Sequence, residues 1–243
     1  MTFLERAVVI TGMSKHYPNG RGIKDIHLTV NQGDILGIIG PNGSGKTTLL
    51  KCMTGLSKPD TGKIELFGID LQSNYKGAIG SVGALIGPAV GVENMTPFQN
   101  LKMASRFYPE LSNADIDEIL HVTGLYPFKY EKISSFSMGM KQRFGLASAL
   151  LSKPRLVILD EPTNGLDIDG LLLLRNTILD VARNSKVTFV ISSHHISELE
   201  RLCNSYCFLI QGQATYYQGQ HQSLEEIYVK KLEEAAYEPH TRK

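Results

Sequence analysis

The run Gly40-Pro41-Asn42-Gly43-Ser44-Gly45-Lys46-Thr47 fits the spacing G-x-x-x-x-G-K-[ST] with nothing missing. A glycine-rich turn lets successive backbone N–H groups point at one anion, and a helix starting there adds partial positive charge. Lys46 has the reach for β- and γ-phosphates, and the Thr47 hydroxyl can hold Mg²⁺. The flanks agree with this reading. Ile35-Leu36-Gly37-Ile38-Ile39 reads as a buried strand, and Thr48-Leu49-Leu50-Lys51-Cys52-Met53 as the first turns of a helix. A chance glycine-rich turn would need neither that strand nor the closing Lys-Thr pair. Gly40, Asn42, Gly43, Ser44, Gly45, Lys46, Thr47 and Thr48 therefore imply a nucleoside triphosphate site.

A second candidate lies far downstream. Leu156-Val157-Ile158-Leu159-Asp160-Glu161 is an apolar strand ending in two carboxylates, the Walker B pattern. Asp160 is placed to hold Mg²⁺, directly or through water, and Glu161 to polarise an attacking water. Strands that end in solvated acids are common in α/β proteins, so the P-loop upstream is what gives this pair its meaning.

The elements that must position these groups follow from patterning. Residues 7–36 read as β-rich, with Ala7–Ile10 and Ile26–Val30 as strands and turns at Pro18-Asn19-Gly20 and Asn31-Gln32-Gly33-Asp34. Strands are also expected over Lys63–Phe67 and Gly80–Ile86. From Pro97 to Lys153 the pattern turns helical. Phe98, Leu101, Met103 and Phe107 recur near helical spacing, Ser112-Asn113-Ala114-Asp115 marks a helix start, and Gly139–Leu151 is a further helix. The α/β rhythm resumes with strands at Val157–Leu159, Val187–Ile191 and Tyr206–Ile210 and helices at Leu171–Ala182 and Leu224–Ala236. The expected fold class is α/β, a core interrupted by a helical insertion.

Composition narrows the function classes. The 243 residues carry a formal net charge of +1, so no basic surplus points to nucleic acid and no acidic one to disorder. The start, Met1-Thr2-Phe3-Leu4-Glu5-Arg6, lacks a signal-peptide layout, and no apolar stretch approaches the ~20 residues that span a bilayer. The reading is a cytosolic chain whose membrane role, if any, runs through a partner. Cys52, Cys203 and Cys207 make no disulfide framework; Cys203 and Cys207 would lie one turn apart on a helix, and buried thiols are the simpler reading than a metal site.

With both Walker motifs in place, residues 7 to 230 resemble the nucleotide-binding subunits of ABC transporters. Ser137-Met138-Gly139-Met140-Lys141-Gln142-Arg143 stands where the family has its Ser-Gly-Gly-Gln signature. Gly165-Leu166-Asp167 looks like the D-loop, and Ser192-Ser193-His194 like the switch histidine. Lys15-His16-Tyr17 places Tyr17 where the family stacks adenine. Alone, His194 or Ser137-Met138-Gly139 would mean little; their order and spacing carry the likeness. Phe136–Arg143 and Ser192–Glu200 look most like bacterial drug or peptide-antibiotic exporters.

The resemblance implies a P-loop NTPase core with an N-terminal antiparallel β subdomain and an inserted helical subdomain. In boundaries, it implies an ATP-binding domain over 1–230, with a RecA-like core at 1–87 and 154–220, a helical subdomain at about 88–153, and a C-terminal helix and tail at 221–243. It implies ATP and Mg²⁺ as ligands, with Thr47 and Asp160 at the metal and Glu161, His194 and Lys46 in catalysis. It also implies a second nucleotide-binding subunit, identical or not, and an integral membrane permease. Ser137 and Gly139 of one subunit would then contact ATP held by the other, and Asp167 would lie in the D-loop between them. The chain would sit at the cytoplasmic face of the membrane. A groove near residues 87–110, with Val90, Val92, Met95 and Phe98, would receive a helix of the permease.

One departure matters. The family ends the strand before the helical lobe in Gln, or Glu in some exporters; here Gly87 takes that position, and Glu93 substitutes only if its loop folds back. Two other functions fit the motifs: an ATP-gated switch with slow hydrolysis, which Gly87 favours, and a soluble non-transport ABC ATPase, which the absence of a second cassette or a heptad run disfavours. The tail from Leu224 reads as a solvated helix in preference to a regulatory contact.

Overall fold

The computed structural model describes residues 5–89, 91–218 and 223–237; residues 1–4, 90, 219–222 and 238–243 lie outside them. Among the described residues ten strands form two sheets. The four-stranded sheet is antiparallel, in the order β2 (Gly22–Asn31), β1 (Arg6–His16), β4 (Thr61–Leu66), β5 (Ile69–Asp70). The six-stranded sheet runs β10 (Gln213–Tyr217), β9 (Ser205–Ile210), β3 (Ile35–Ile39), β8 (Thr188–Ser193), β7 (Leu156–Asp160), β6 (Val82–Leu85). All its neighbours pair in parallel except β10, which returns antiparallel on β9.

The central strands are apolar on both faces, as a buried parallel sheet requires. Alternation sorts them. Leu36, Ile38, Ile158, Val190, Cys207 and Leu209 face one way and pack with α1 (Lys46–Met53) and the antiparallel sheet. Ile35, Ile39, Val157, Leu159, Phe189, Ile191, Tyr206 and Phe208 face the other way, against α6 (Ile168–Ser185) and α8 (Leu224–Tyr237). β8 lies between β3 and β7, so the chain ends leaving these three strands meet at one edge of the sheet.

The helical lobe builds its own core. α3 (Pro97–Ala104) starts on a capping box of Thr96 and Gln99 with Pro97 in the first turn, and α4 (Asn113–Val122) on a box of Ser112 and Asp115. Leu101, Ile116, Leu120, Leu125, Phe136, Phe144 and Leu151 close around them with α5 (Met138–Leu150). The lobe is joined to the sheet where α5 meets β6. A Cβ on Gly83 would stand 1.9 Å from the Ala149 carbonyl oxygen, so only glycine permits that approach.

Several expectations shift. Phe107 is 84 % exposed, beyond the end of α3, and so lies off the lobe's apolar face. The strand expected over Lys63–Phe67 stops at Leu66 because Phe67 turns left-handed, and the strand from Gly80 begins at Val82 after a short helix, α2 (Tyr75–Ile79). Cys203 and Cys207 do not share a helix: Cys203 follows α7 (Ile196–Glu200) and Cys207 lies in β9. All three thiols are buried and unbridged. α8 is not a fully solvated helix, since Leu224 is buried and Ile227 and Tyr228 pack on the sheet beside Phe208, with Glu225, Glu226 and Lys230 outward.

Candidate functional site

The turn between β3 and α1 wraps back over the helix start. Gly40 accepts no side chain, because a Cβ there would lie 2.2 Å from the Leu209 carbonyl oxygen. Gly45 precedes α1 at φ 108, and a Cβ there would lie 2.4 Å from Ile23. Lys46 is buried to 6 % exposure and folds over the loop, its Nζ donating to the Gly40 carbonyl at 2.7 Å. Ser44 is buried as well, and its Oγ has no protein partner. A buried hydroxyl without a partner is costly. A phosphate oxygen in the loop would give this one an acceptor, so the residues present fit a polyphosphate.

The two carboxylates join this loop from β7. Thr47 Oγ1 donates to Asp160 Oδ2 at 2.7 Å, which puts the hydroxyl and the carboxylate side by side. Ser192 Oγ donates to the other Asp160 oxygen at 2.6 Å. Glu161 leaves the strand at φ 49, a left-handed conformation uncommon for a residue with a Cβ. That turn carries its carboxylate back over the loop. Oε1 pairs with Lys46 Nζ at 3.2 Å and Oε2 lies 2.7 Å from His194 Nδ1. His194 follows β8, and its ring packs on His195 with centroids 4.0 Å apart.

One open cleft of about 550 Å³ lies against these groups, although Gly40, Ser44 and Asp160 do not themselves border it. Tyr17, Asn42, Gly43, Gly45, Lys46, Thr47, Thr48, Glu161 and His194 all border it. Tyr17 comes from the turn after β1, held by its N–H to the Arg21 carbonyl at 2.9 Å. Arg21, Asn19, Lys51 and Asn164 also border the cleft and were not anticipated. Asn19 sits in the turn that sequence marks as Pro18-Asn19-Gly20 and Arg21 just after it, and Lys51 lies one helical turn after Thr47 on α1.

The signature residues stand elsewhere. Ser137 caps α5, accepting from the Met140 N–H at 3.3 Å, and is exposed. Asp167 caps α6 in the same manner, accepting from Gly170 N–H at 2.8 Å. The two turns touch: the Met138 side chain lies over Gly165 and that of Leu166 near Gly139. None of Ser137, Gly139 and Asp167 borders the cleft of its own chain.

Gly87 lies exposed in the loop after β6 at φ 83, with open space where a side chain would start. Glu93 does not substitute for it. It points outward and pairs with Lys141 at 3.3 Å. In the expected groove Val92 is exposed, whereas Phe98 sits under the Lys129 ammonium at 4.5 Å and belongs in part to the helical lobe; Val90 lies outside the described residues.

A P-loop turn, a Walker B strand and a histidine brought to one edge of a parallel sheet, with an antiparallel sheet and a helical lobe beside it, define an ATP-binding cassette. The ABC transporter family pattern matches residues 23–164. The bacitracin transport ATP-binding protein BcrA of Bacillus licheniformis is 38% identical over 202 residues, 83% of this chain and 66% of that protein. The lantibiotic transport ATP-binding protein SrtF of Streptococcus pyogenes is 32% identical over 90% of this chain and 94% of its own length. A solved ATP-binding subunit of an ABC transporter superposes with a TM-score of 0.81 at 26% identity, covering 92% of this chain and 98% of that one. The dimeric cassette MJ0796 bound to ADP and Pi shares the fold at a TM-score of 0.79 and 22% identity, over 88% of this chain and all of that one. This chain belongs to the ABC transporter family. It spans about two thirds, 66%, of the length of the Bacillus licheniformis relative.

Proposed function

We propose that the chain is the ATP-hydrolysing subunit of an ABC transporter and powers export through a separate membrane-spanning permease. The cargo class is a drug, an antibiotic peptide or another small amphipathic molecule; the bacitracin and lantibiotic transport relatives support it. The observation that carries the reading is the meeting of Lys46, Thr47, Glu161 and His194 at one cleft, with Asp160 bonded to Thr47 and with Ser137, Gly139 and Asp167 outside the cleft. Such an arrangement needs a second cassette to bring a signature to each nucleotide. Among the described residues no helix is long and apolar enough to cross a membrane.

The chemistry asks for positioning and charge stabilisation more than for covalent steps. Tyr17 stacks the base and the loop N–H groups bind the phosphates. Lys46 leaves Glu161 for the γ-phosphate. Thr47 and Asp160 would hold Mg²⁺, which would supply positive charge against the negative charge developing on the phosphoryl oxygens. Glu161 orients or deprotonates the attacking water, and His194, already bonded to Glu161, keeps that carboxylate in place and contacts the γ-phosphate. ATP joins two cassettes because its γ-phosphate adds contacts that ADP lacks, and hydrolysis releases them.

The test is an affinity pull-down of the tagged Glu161→Gln chain with ATP from detergent-solubilised membranes of its own source. Stoichiometric capture of one multi-span membrane protein is expected; capture of soluble proteins alone overturns the transporter reading. A second reading, an ATP-gated switch with slow hydrolysis, draws on Gly87, which offers no side chain to the water or metal. ATP consumed per transport event separates the two.

A further inference from the structure

Ser192 occupies a position where the surrounding pattern asks for an apolar side chain. It follows Val190 on the same face of β8, and its neighbours across the sheet are Ile38 on β3 and Asp160 on β7, in register. Its exposure is 0 %. A serine in such a place costs stability unless its hydroxyl is bonded. Here both capacities of the hydroxyl are used. Ser192 Oγ donates to Asp160 Oδ1 at 2.6 Å and accepts from the Glu161 N–H at 2.9 Å, which the Ser192 carbonyl also approaches at 3.1 Å.

We propose that Ser192 is a positioning residue that sets both Walker B carboxylates through one hydroxyl, a role that rests on the ATPase reading above. With Oδ1 tied to Ser192, the Asp160 carboxylate can turn only its Oδ2 to Thr47 and to the Mg²⁺ that these two residues would hold. With its N–H held by Ser192, Glu161 keeps the φ 49 turn that brings its own carboxylate to Lys46 and His194. The sheet register fixes the whole arrangement, since Ser192 and Asp160 are paired residues on adjacent strands. Removing the hydroxyl leaves Asp160 Oδ1 buried without that donor and free to rotate. Partners of this kind, one shell out from a metal, typically set its affinity by ~10–100-fold.

The experiment measures binding of a fluorescent ATP analogue to the full chain, in EDTA and across a Mn²⁺ titration, for wild type, Ser192→Ala and Ser192→Cys. Cysteine keeps the volume of serine but donates poorly, so it separates the hydrogen bond from packing and serves if the alanine variant does not fold. The expected result is an affinity in EDTA no weaker than wild type in both variants, and a half-saturating Mn²⁺ concentration raised about 10-fold or more in both. Steady-state hydrolysis should show a fallen kcat with little change in KM for ATP. Variants that match the wild-type Mn²⁺ dependence overturn the role of Ser192 alone. A wild-type chain that binds no nucleotide with or without metal overturns the ATPase reading, and the role of Ser192 with it.

Discussion

Lys46 Nζ stands 3.2 Å from Glu161 Oε1, so the cation proposed to bind phosphate and the carboxylate proposed to act on water hold each other. Lys46 is almost fully buried and Glu161 is partly so. Nucleotide must therefore exchange one anionic partner of Lys46 for another. Glu161→Gln removes the competing charge while keeping the side chain's size. The expected outcome is ATP binding at least as tight as wild type, a stable ATP-held dimer, and turnover reduced ~10²–10⁴-fold. Equilibrium binding and phosphate release, measured on the same preparation, check it; normal turnover would remove Glu161 from the mechanism.

Gly87 makes a second prediction with two opposed effects. Its loop has open space for a side chain, but φ 83 is a conformation that costs a non-glycine residue about 1–2 kcal/mol. Gly87→Glu should lower the unfolding free energy by that amount and still raise ATP hydrolysis in the assembled complex, by supplying a polar side chain of the kind the resemblance leads one to expect there. Gly87→Ala bears the same backbone cost without the carboxylate and is the control. A glutamate variant no faster than the alanine variant would show that the position does not limit turnover.

Much of this site was legible because phosphate chemistry constrains local sequence. Gly40–Thr47 and Asp160-Glu161 are short runs whose residue types are dictated by close backbone approach and by charge, and the structure brings both to one cleft. The elements that sequence missed are held by partners distant along the chain. β5 and β10 are strands because they pair with β4 and β9, and Arg21 reaches the cleft because β1 and β2 fold over the P-loop. Phe107 was misplaced because helical spacing continues past the point where α3 ends, in a 3₁₀ turn over Ser105–Phe107. Ser192 was visible only as one serine of a pair; that it faces Asp160 depends on the parallel register of β7 and β8.

The buried thiols give a pH dependence whose sign is fixed. Burial pushes Cys52 up to about 11 and Cys207 to about 12, and raises Cys203 as well. An unfolded thiol ionises near ~8.5. Between that value and about 11 the folded chain binds more protons than the unfolded chain, so stability falls as pH rises through this window. Each thiol contributes up to about 1.4 kcal/mol per pH unit there. Urea midpoints at several pH values from neutral upward should decline above the ordinary thiol range, with a shallower slope for Cys207→Val. Thiol reagents should modify these residues only as fast as the chain unfolds.

Ser137 and Lys46 offer the sharpest test of a site shared between two chains. Ser137 is exposed at the start of α5 and borders no part of the cleft that holds Lys46. If two copies of this chain meet head to tail, Ser137→Arg spoils the site across the interface and Lys46→Ala spoils the site at home. Each variant alone then has no competent site. In a mixed dimer both lesions fall on the same site and the other is intact. Random 1:1 mixing should restore about a quarter of the wild-type sites, since about half the dimers are mixed and each has one good site of two. Nucleotide trapped by the mixture, compared with either variant alone, reads this directly. No recovery on mixing would mean that Ser137 serves its own chain's nucleotide or that the working partner is an unlike cassette. Co-purification of a second ATP-binding chain distinguishes those outcomes, because only an unlike cassette would bring its own signature to the Lys46 site.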